Sequence, residues 1–299
     1  MSFAPRSMLF VSAEKPDRFD KAIRSGADMV CIDLEDAVHP DNKPAAREAV
    51  VNYLLAADLS KHDVTVGVRV NGVSTPDGLR DFVHLADSGC RVDVVMMPKV
   101  VSVTEIRLAQ TWLAKTCSHL VALIESPAGI EQAHEIASAN LSAHGGGANR
   151  GPRLSALLLG GVDLSAELGA SLSWHGLLSA RGRLVNAAKS AGIQVWDVPC
   201  LDIHDAEGIE KETRAVREMG FDCKTAIHPA QIAPIHEAFK PSEHELEWAK
   251  GVVAAGEQAG HGQNSSQAAG AFLFNGKMID EPVLKHAQQL LVQAARSSE

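Results

Sequence analysis

Charged side chains able to do chemistry stand in this sequence just past short apolar runs. Asp33-Leu-Glu35-Asp36 closes one run, Arg69-Val-Asn71 the next and Pro98-Lys99 a third. Glu125-Ser126, Asp163, Asp197 and His228 follow in the same way. Glu125 and Asp163 are hard oxygen donors suited to Mg²⁺, an ion that takes one or two protein carboxylates and leaves its other positions to water and substrate. Each also has a plainer reading, as a helix cap or the partner of a neighbouring base. The planar fork of Arg69 suits a substrate carboxylate or a developing enolate oxygen, or else a bridge to Glu35 or Asp36, and the two roles can coexist. Lys99 raises Schiff-base aldolase chemistry, although a lysine at a strand end usually neutralises a carboxylate cluster. His228, in a His-Pro step before a helix, reads as positional, and the remaining histidines show no metal spacing such as H-x-x-E-H.

The elements that must position these groups are strands and helices in alternation. Eight strand candidates can be marked: Ser7–Ser12, Met29–Glu35, Thr65–Asn71, Val94–Val100, His119–Ser126, Leu154–Gly161, Ile193–Pro199 and Cys223–Pro229. They are nearly all apolar, as strands buried on both faces should be. Each gap has room for a crossover helix. Ser102-Val-Thr-Glu105 reads as a capping box, and Ser126-Pro127 as an N-cap followed by proline at the first helical position. Eight such units predict an α/β fold, a (β/α)₈ TIM barrel over residues 1–239, whose rim at the C-terminal ends of the strands is where such barrels build active sites. Residues 240–299 read as a C-terminal helical extension: a capping box at Ser242-Glu-His-Glu245, a Gly/Ser/Gln-rich stretch at Gly260–Gly270, an apolar segment and a last amphipathic helix, Glu281–Arg296. Ser142–Arg153, with its triple glycine, reads as a surface insert before the sixth strand.

Composition narrows the class. The 299 residues fit one barrel of about 250 residues plus an appendage. A net charge of −9 makes nucleic acid a poor partner, while leaving room for a small anion in a local cationic pocket. The five cysteines, Cys31, Cys90, Cys117, Cys200 and Cys223, are scattered and form no CxxC pair, which argues for reduced thiols and a cytoplasmic protein. No apolar run approaches the roughly 18 residues of a membrane span.

Taken together, several motifs resemble the HpcH/HpaI aldolase and citrate lyase beta-subunit-like family. They are Arg6-Ser-Met-Leu-Phe-Val11, Gly26-Ala-Asp-Met-Val-Cys-Ile-Asp-Leu-Glu-Asp-Ala-Val38, Val68-Arg-Val-Asn71, Met97-Pro-Lys99, Ile124-Glu-Ser-Pro-Ala-Gly129, Gly161-Val-Asp-Leu164 with Leu168-Gly169, and Ala226-Ile-His-Pro229. The resemblance runs nearly end to end, and order and spacing make it specific. It implies a carbon–carbon lyase that holds Mg²⁺ on Glu125 and Asp163, with Arg69 as the substrate arginine and Glu35 and Asp36 as acids near the metal's waters. In the thioester-cleaving branch, which includes malyl-CoA and citramalyl-CoA lyases, the C-terminal segment covers a neighbouring subunit's site and supplies an aspartate. Here that stretch is Asn275-Gly-Lys-Met-Ile-Asp280, and the implied assembly is a homotrimer or a multiple of it. By its residues alone, Asp280 before Glu281-Pro282 reads as an N-cap. The implied partners are an acyl-CoA and a 2-keto acid. Rival readings are a metal-dependent aldolase for free hydroxy-keto acids and a lyase subunit acting on an acyl carrier protein within a complex. The Ser142–Arg153 insert and Val198-Pro-Cys-Leu-Asp-Ile-His204 depart from the family pattern near the rim.

Overall fold

In the computed structural model, residues 3–57, 59–140, 151–259 and 271–297 are described. Eight parallel strands close into a barrel in sequence order: β1 (Ser7–Ser12), β2 (Met29–Asp33), β3 (Thr65–Arg69), β4 (Val92–Met97), β5 (Cys117–Ile124), β6 (Arg153–Leu159), β7 (Gln194–Asp197) and β8 (Cys223–Ala226). All eight predicted strands are present, and the barrel is the one expected. From β2 onward each ends two or three residues sooner than its apolar run suggested. Those last residues leave the ladder to begin the βα turns. Ser126, for example, caps the helix Pro127–Ala137 by accepting from Gly129 N, and Ser102 with Glu105 forms the expected capping box on the helix Val103–Trp112.

Both faces of the strands are buried, which is why their sequences run apolar without alternation. One core fills the barrel interior, with Met8, Met29, Cys31, Val94, Met96, Val121, Leu123, Ala156, Leu158, Trp196 and Cys223. The other lies under the helices and takes the intervening residues, among them Ile32, Val66, Val68, Val95, Met97, Ala122, Ile124, Leu157, Leu159 and Val195. The two-residue period of a strand then decides which polar side chains face inward at the rim. Continuing Met29 and Cys31 leads to Asp33, and continuing Val121 and Leu123 leads to Glu125. Arg69 stands beside Asp33 in register.

The chain divides into two compact units, residues 1–236 and 237–299. In the second, the helices Glu243–Gln258 and Glu281–Ser297 pack with a hairpin of β9 (Phe272–Phe274) and β10 (Lys277–Ile279) around Ala249, Val252, Ile279, Leu284, Ala287 and Leu290. The predicted capping box at Ser242 and Glu245 is present. Asn275 and Gly276 take positive φ of 48° and 74°, the turn chemistry of a two-residue hairpin loop. The Asn-Gly dipeptide marks this hairpin within what reads in sequence as an apolar segment. Residues 142–150 of the insert and 260–270 of the Gly/Ser/Gln-rich stretch lie outside the described residues. The described end of the insert, Gly151–Arg153, runs into the start of β6 and so stands at the N-terminal face of the barrel, not near the rim as expected, because a loop that enters a strand lies at the opposite end from one that leaves it. Among the described residues no helix is long and apolar enough to cross a membrane.

Candidate active site

Arg69 organises the rim. Its Nε and Nη2 donate to the two oxygens of Asp33 at 2.7 and 2.6 Å, a bidentate pair that directs the guanidinium. Asp33 in turn accepts the backbone N–H groups of Glu35 (2.9 Å) and Ala37 (3.1 Å), and it is almost fully buried. The third nitrogen, Nη1, faces Glu35 Oε2 at 3.0 Å and Asp36 Oδ2 at 3.8 Å. Phe10 lies against the guanidinium with its ring centroid 4.9 Å from Cζ, a cation–π contact. One edge of the fork is thus committed to Asp33, and the Nη1 side is the one left for a ligand. The sequence does not single out Asp33, because a strand buried on both faces does not show its parity; closure of the barrel puts it on the same inward face as Arg69.

Lys99 closes the opposite side. It is a non-glycine residue at φ 55°, in the left-handed region. That conformation turns its N–H onto Glu125 Oε1 at 2.8 Å, while its ammonium lies 3.1 Å from Glu35 Oε1 and 3.7 Å from Asp163 Oδ2. Such backbone strain clusters at functional sites. The side chain therefore serves the carboxylate cluster, as the plainer reading of Lys99 held. Glu125 follows β5, and its carboxylate packs directly on Gly160, where a Cβ would come within 2.6 Å of Oε2. Only glycine leaves that space. Asp163, in the first turn of the helix Gly161–Leu168, and Lys99 are about half exposed, whereas Asp33, Glu35 and Glu125 are buried. The cluster is open on one side.

Five carboxylates, of Asp33, Glu35, Asp36, Glu125 and Asp163, thus surround two cations, Arg69 and Lys99. The excess shows in their protonation. Glu125 is pushed up to about 8, by burial first and then by the charges of Glu35 and Asp163, against the opposing Lys99 amide and Arg69. Burial likewise raises Glu35, helped by Asp36 and opposed by Arg69 and Lys99. Burial disfavours the charged Arg69, but its bonds to Asp33 and the surrounding carboxylates override this and raise its pKa. Glu35 Oε2 is buried and, although close to Arg69 Nη1, is out of line for a hydrogen bond. An over-acidic, partly unsatisfied, oxygen-only cluster suits a hard divalent cation. Among the described residues no three or more His, Cys, Asp or Glu form a ready-made cage. Mg²⁺ keeps waters and substrate oxygens, so it needs only one or two protein carboxylates, and Glu125 and Asp163 are donors of that kind.

The other predicted groups lie elsewhere. Asp197 stands next to inward-facing Trp196 and so faces the helix layer. There it is bound by Arg181 (2.9 and 3.2 Å) and Lys224 (2.6 Å) and takes no part in the rim cluster. His228 is exposed and accepts from Ala230 N at 3.2 Å, capping a short turn, as the positional reading had it. Within the second unit, Asp280 is exposed and accepts from Val283 N at 3.2 Å, the N-cap geometry. Two neighbouring apolar side chains, Leu273 and Met278, paired across the hairpin, are 74% and 73% exposed.

Similarity to known proteins shows the family. The family model described as HpcH/HpaI aldolase/citrate lyase matches residues 6–229. The chain is 36% identical over 300 residues to citrate lyase subunit beta of Haemophilus influenzae, covering 97% of this chain and 96% of that protein. It is 30% identical over 325 residues to the L-malyl-CoA/beta-methylmalyl-CoA lyase of Rhodobacter capsulatus, with 97% and 94% covered. The crystal structure of CitE from Mycobacterium tuberculosis, in complex with magnesium, acetoacetate and coenzyme A, superposes with a TM-score of 0.79 at 33% identity, covering 99% of this chain and all of that one.

Proposed function

Starting from a chain that belongs to the HpcH/HpaI aldolase/citrate lyase family and is a carbon–carbon lyase of it, we propose that this protein cleaves, or forms, a short 3-hydroxyacyl-CoA thioester such as malyl-CoA or citramalyl-CoA with Mg²⁺ as cofactor. The observation that carries the reading is the rim itself, an excess of buried carboxylate gathered around one directed arginine. Glu125 and Asp163 would hold the ion. Bound there, it supplies Lewis-acid polarisation and a template for the substrate's oxygens. The protein's own part follows from the geometry. Asp33 holds Arg69 so that its Nη1 side presents donors to the oxygen on which negative charge develops, a preorganised electrostatic contribution. The substrate's 3-hydroxyl gives its proton to a rim carboxylate, Glu35 or Asp36, the adjacent C–C bond breaks, and the electron pair passes into the thioester enolate. Glu35 and Asp36 flank this path. An acid then protonates the enolate carbon, giving an acyl-CoA and a 2-keto acid; in condensation the same group is the base.

For that acid we take Asp280 of a neighbouring copy in a homotrimer or a multiple of it. Support comes from the exposed Leu273–Met278 pair, an apolar surface suited to covering another molecule. Subunit exchange tests it: inactive Asp280→Asn mixed with inactive Glu125→Gln should regain activity in mixed oligomers. Continued inactivity despite proven exchange would remove Asp280 from the trans role. A panel of malyl-CoA, citramalyl-CoA and free hydroxy-keto acids with Mg²⁺, read by keto-acid release from the purified chain alone, tests the reaction. Cleavage of free hydroxy-keto acids only would make it an aldolase. Full-length similarity to a citrate lyase beta subunit favours one rival specifically, a subunit that works on a carrier-bound thioester. Inactivity on every free thioester, relieved by an acyl-carrier substrate, would establish it.

A further inference from the structure

The peptide between Asp33 and Glu35 is held from outside the barrel by side chains that touch neither Arg69 nor the rim oxygens. Lys43, the first residue of the helix Lys43–Ala56, directs its ammonium at the side-chain oxygen of Asn71 and at the carbonyls of Glu35 (3.3 Å) and Leu34 (3.5 Å). Asn71 donates from Nδ2 to Leu34 O at 3.0 Å and to Asp81 Oδ2 at 2.7 Å, and its backbone N–H donates to the same Asp81 oxygen at 2.8 Å. Asp81 is fully buried, and its other oxygen accepts from Arg47 Nε at 2.6 Å. The helix that carries it, Pro76–Asp87, lies so close that a Cβ on Gly78 would stand 2.0 Å from Gly72 O. On its other side, Leu34 N donates to Arg69 O at 2.9 Å.

Leu34 is therefore pinned by donors on its carbonyl and by an acceptor on its amide. Any rotation there swings Asp33 and Glu35, which flank it, away from Arg69. We propose that Lys43 and Asn71 are positioning residues for the reaction: they fix the Leu34–Glu35 backbone and, through Asp33 and Glu35, the direction of the Arg69 fork. This rests on the reading of Arg69 given above. Misplacing a catalytic group by about 1 Å can cost on the order of 10²-fold in rate, and losing a residue that orients a ligand typically costs about 10- to 100-fold. Lys43 is only partly buried, so its removal need not unfold the chain.

The test uses the full-length protein, with Lys43→Met and Lys43→Arg beside Arg69→Lys. The Nε–H NMR resonance of Arg69, assigned by its loss in Arg69→Lys, reports the fork without any substrate. In Lys43→Met it should shift or broaden. With the thioester the panel identifies, kcat should fall about 10-fold, with KM little changed and the thermal midpoint within about 2 °C. Lys43→Arg, which keeps N–H donors within reach, should restore most of both. An unchanged resonance, or lost stability with kcat intact, overturns the proposal. Full activity of Arg69→Lys would instead remove the role given to Arg69, while the resonance in Lys43→Met still decides whether Lys43 directs it.

Discussion

Two of the charge clusters on this barrel differ in balance. At the helix layer behind β7 and β8, two cations, Arg181 and Lys224, meet two carboxylates, Asp197 and Glu212, at 2.5–3.6 Å. Burial would raise Asp197, yet Lys224 and Arg181 override it and hold its carboxyl below the usual range. Burial would lower Lys224, yet Asp197 and Glu212 raise it. Trp174 covers the Arg181 guanidinium at 4.7 Å beside a cavity of about 310 Å³. At the rim, five carboxylates share two cations, and burial with mutual repulsion drives Glu125 upward to about 8. A cluster whose charges cancel acts as structure, even though Arg181 Nη1 is buried there without a hydrogen-bond partner. A cluster with carboxyl groups in excess, where burial holds Glu125 toward its neutral form, has oxygens to spare for a cation. The rim is also the larger and more open of the two, with Asp36, Lys99 and Asp163 exposed, but its charge balance is what suits a cation.

Removing one carboxylate from each cluster should break them in opposite ways. Glu125→Gln or Asp163→Asn should cost on the order of 10³-fold or more in turnover, since a metal's Lewis-acid contribution is worth several kcal/mol. Mg²⁺ affinity by calorimetry should fall with it, while stability holds or rises because repulsion is relieved. Full turnover in EDTA would contradict the metal assignment.

Asp197→Asn should leave Mg²⁺ affinity unchanged and lower stability by about 3–5 kcal/mol, the usual penalty for orphaning one side of a buried ion pair. Its pH dependence has a definite sign. A carboxyl whose folded pKa is depressed stabilises above its unfolded value, about 3.9, and that contribution is lost as pH falls through the lower folded value. Acid titration of urea midpoints should therefore show the wild type losing its advantage over Asp197→Asn below about pH 4. Parallel curves down to strong acid would mean that Asp197 is not held low.

Smaller effects sharpen the contrast. Arg69→Lys keeps the charge but loses the fork, so kcat should drop on the order of 10²-fold, comparable to losing one preorganised oxyanion donor. Near-wild-type turnover would make Arg69 a structural partner of Asp33, like Arg181 with Asp197. Asp280→Asn should change stability least of all, by well under 1 kcal/mol, because asparagine caps as well as aspartate. If activity nevertheless disappears, the residue's cap geometry is incidental to its chemistry.

The eight apolar runs, the capping boxes at Ser102 and Ser242 and the Ser126-Pro127 start were all legible in the residues, because local propensity, capping and buried parallel strands leave direct marks. Arg69, Glu125 and Asp163 were legible as candidates for the same reason: each follows such a run. What the residues did not reveal is which strand-end charges face one another. Asp197 looked as much a rim acid as Glu125, and Asp33 went unassigned beside Glu35. Strands buried on both faces show no alternation, so their parity is invisible until the barrel closes, and a shift of one residue sends a side chain to the other face. Lys43 at a helix start, Asn71 just past a strand end and Asp81 in mid-helix come from three separate elements and meet only through packing. Residue types determined the chemistry available to this protein; the two-residue period, set in register by the closed barrel, decided which charges were paired off and which were left to bind.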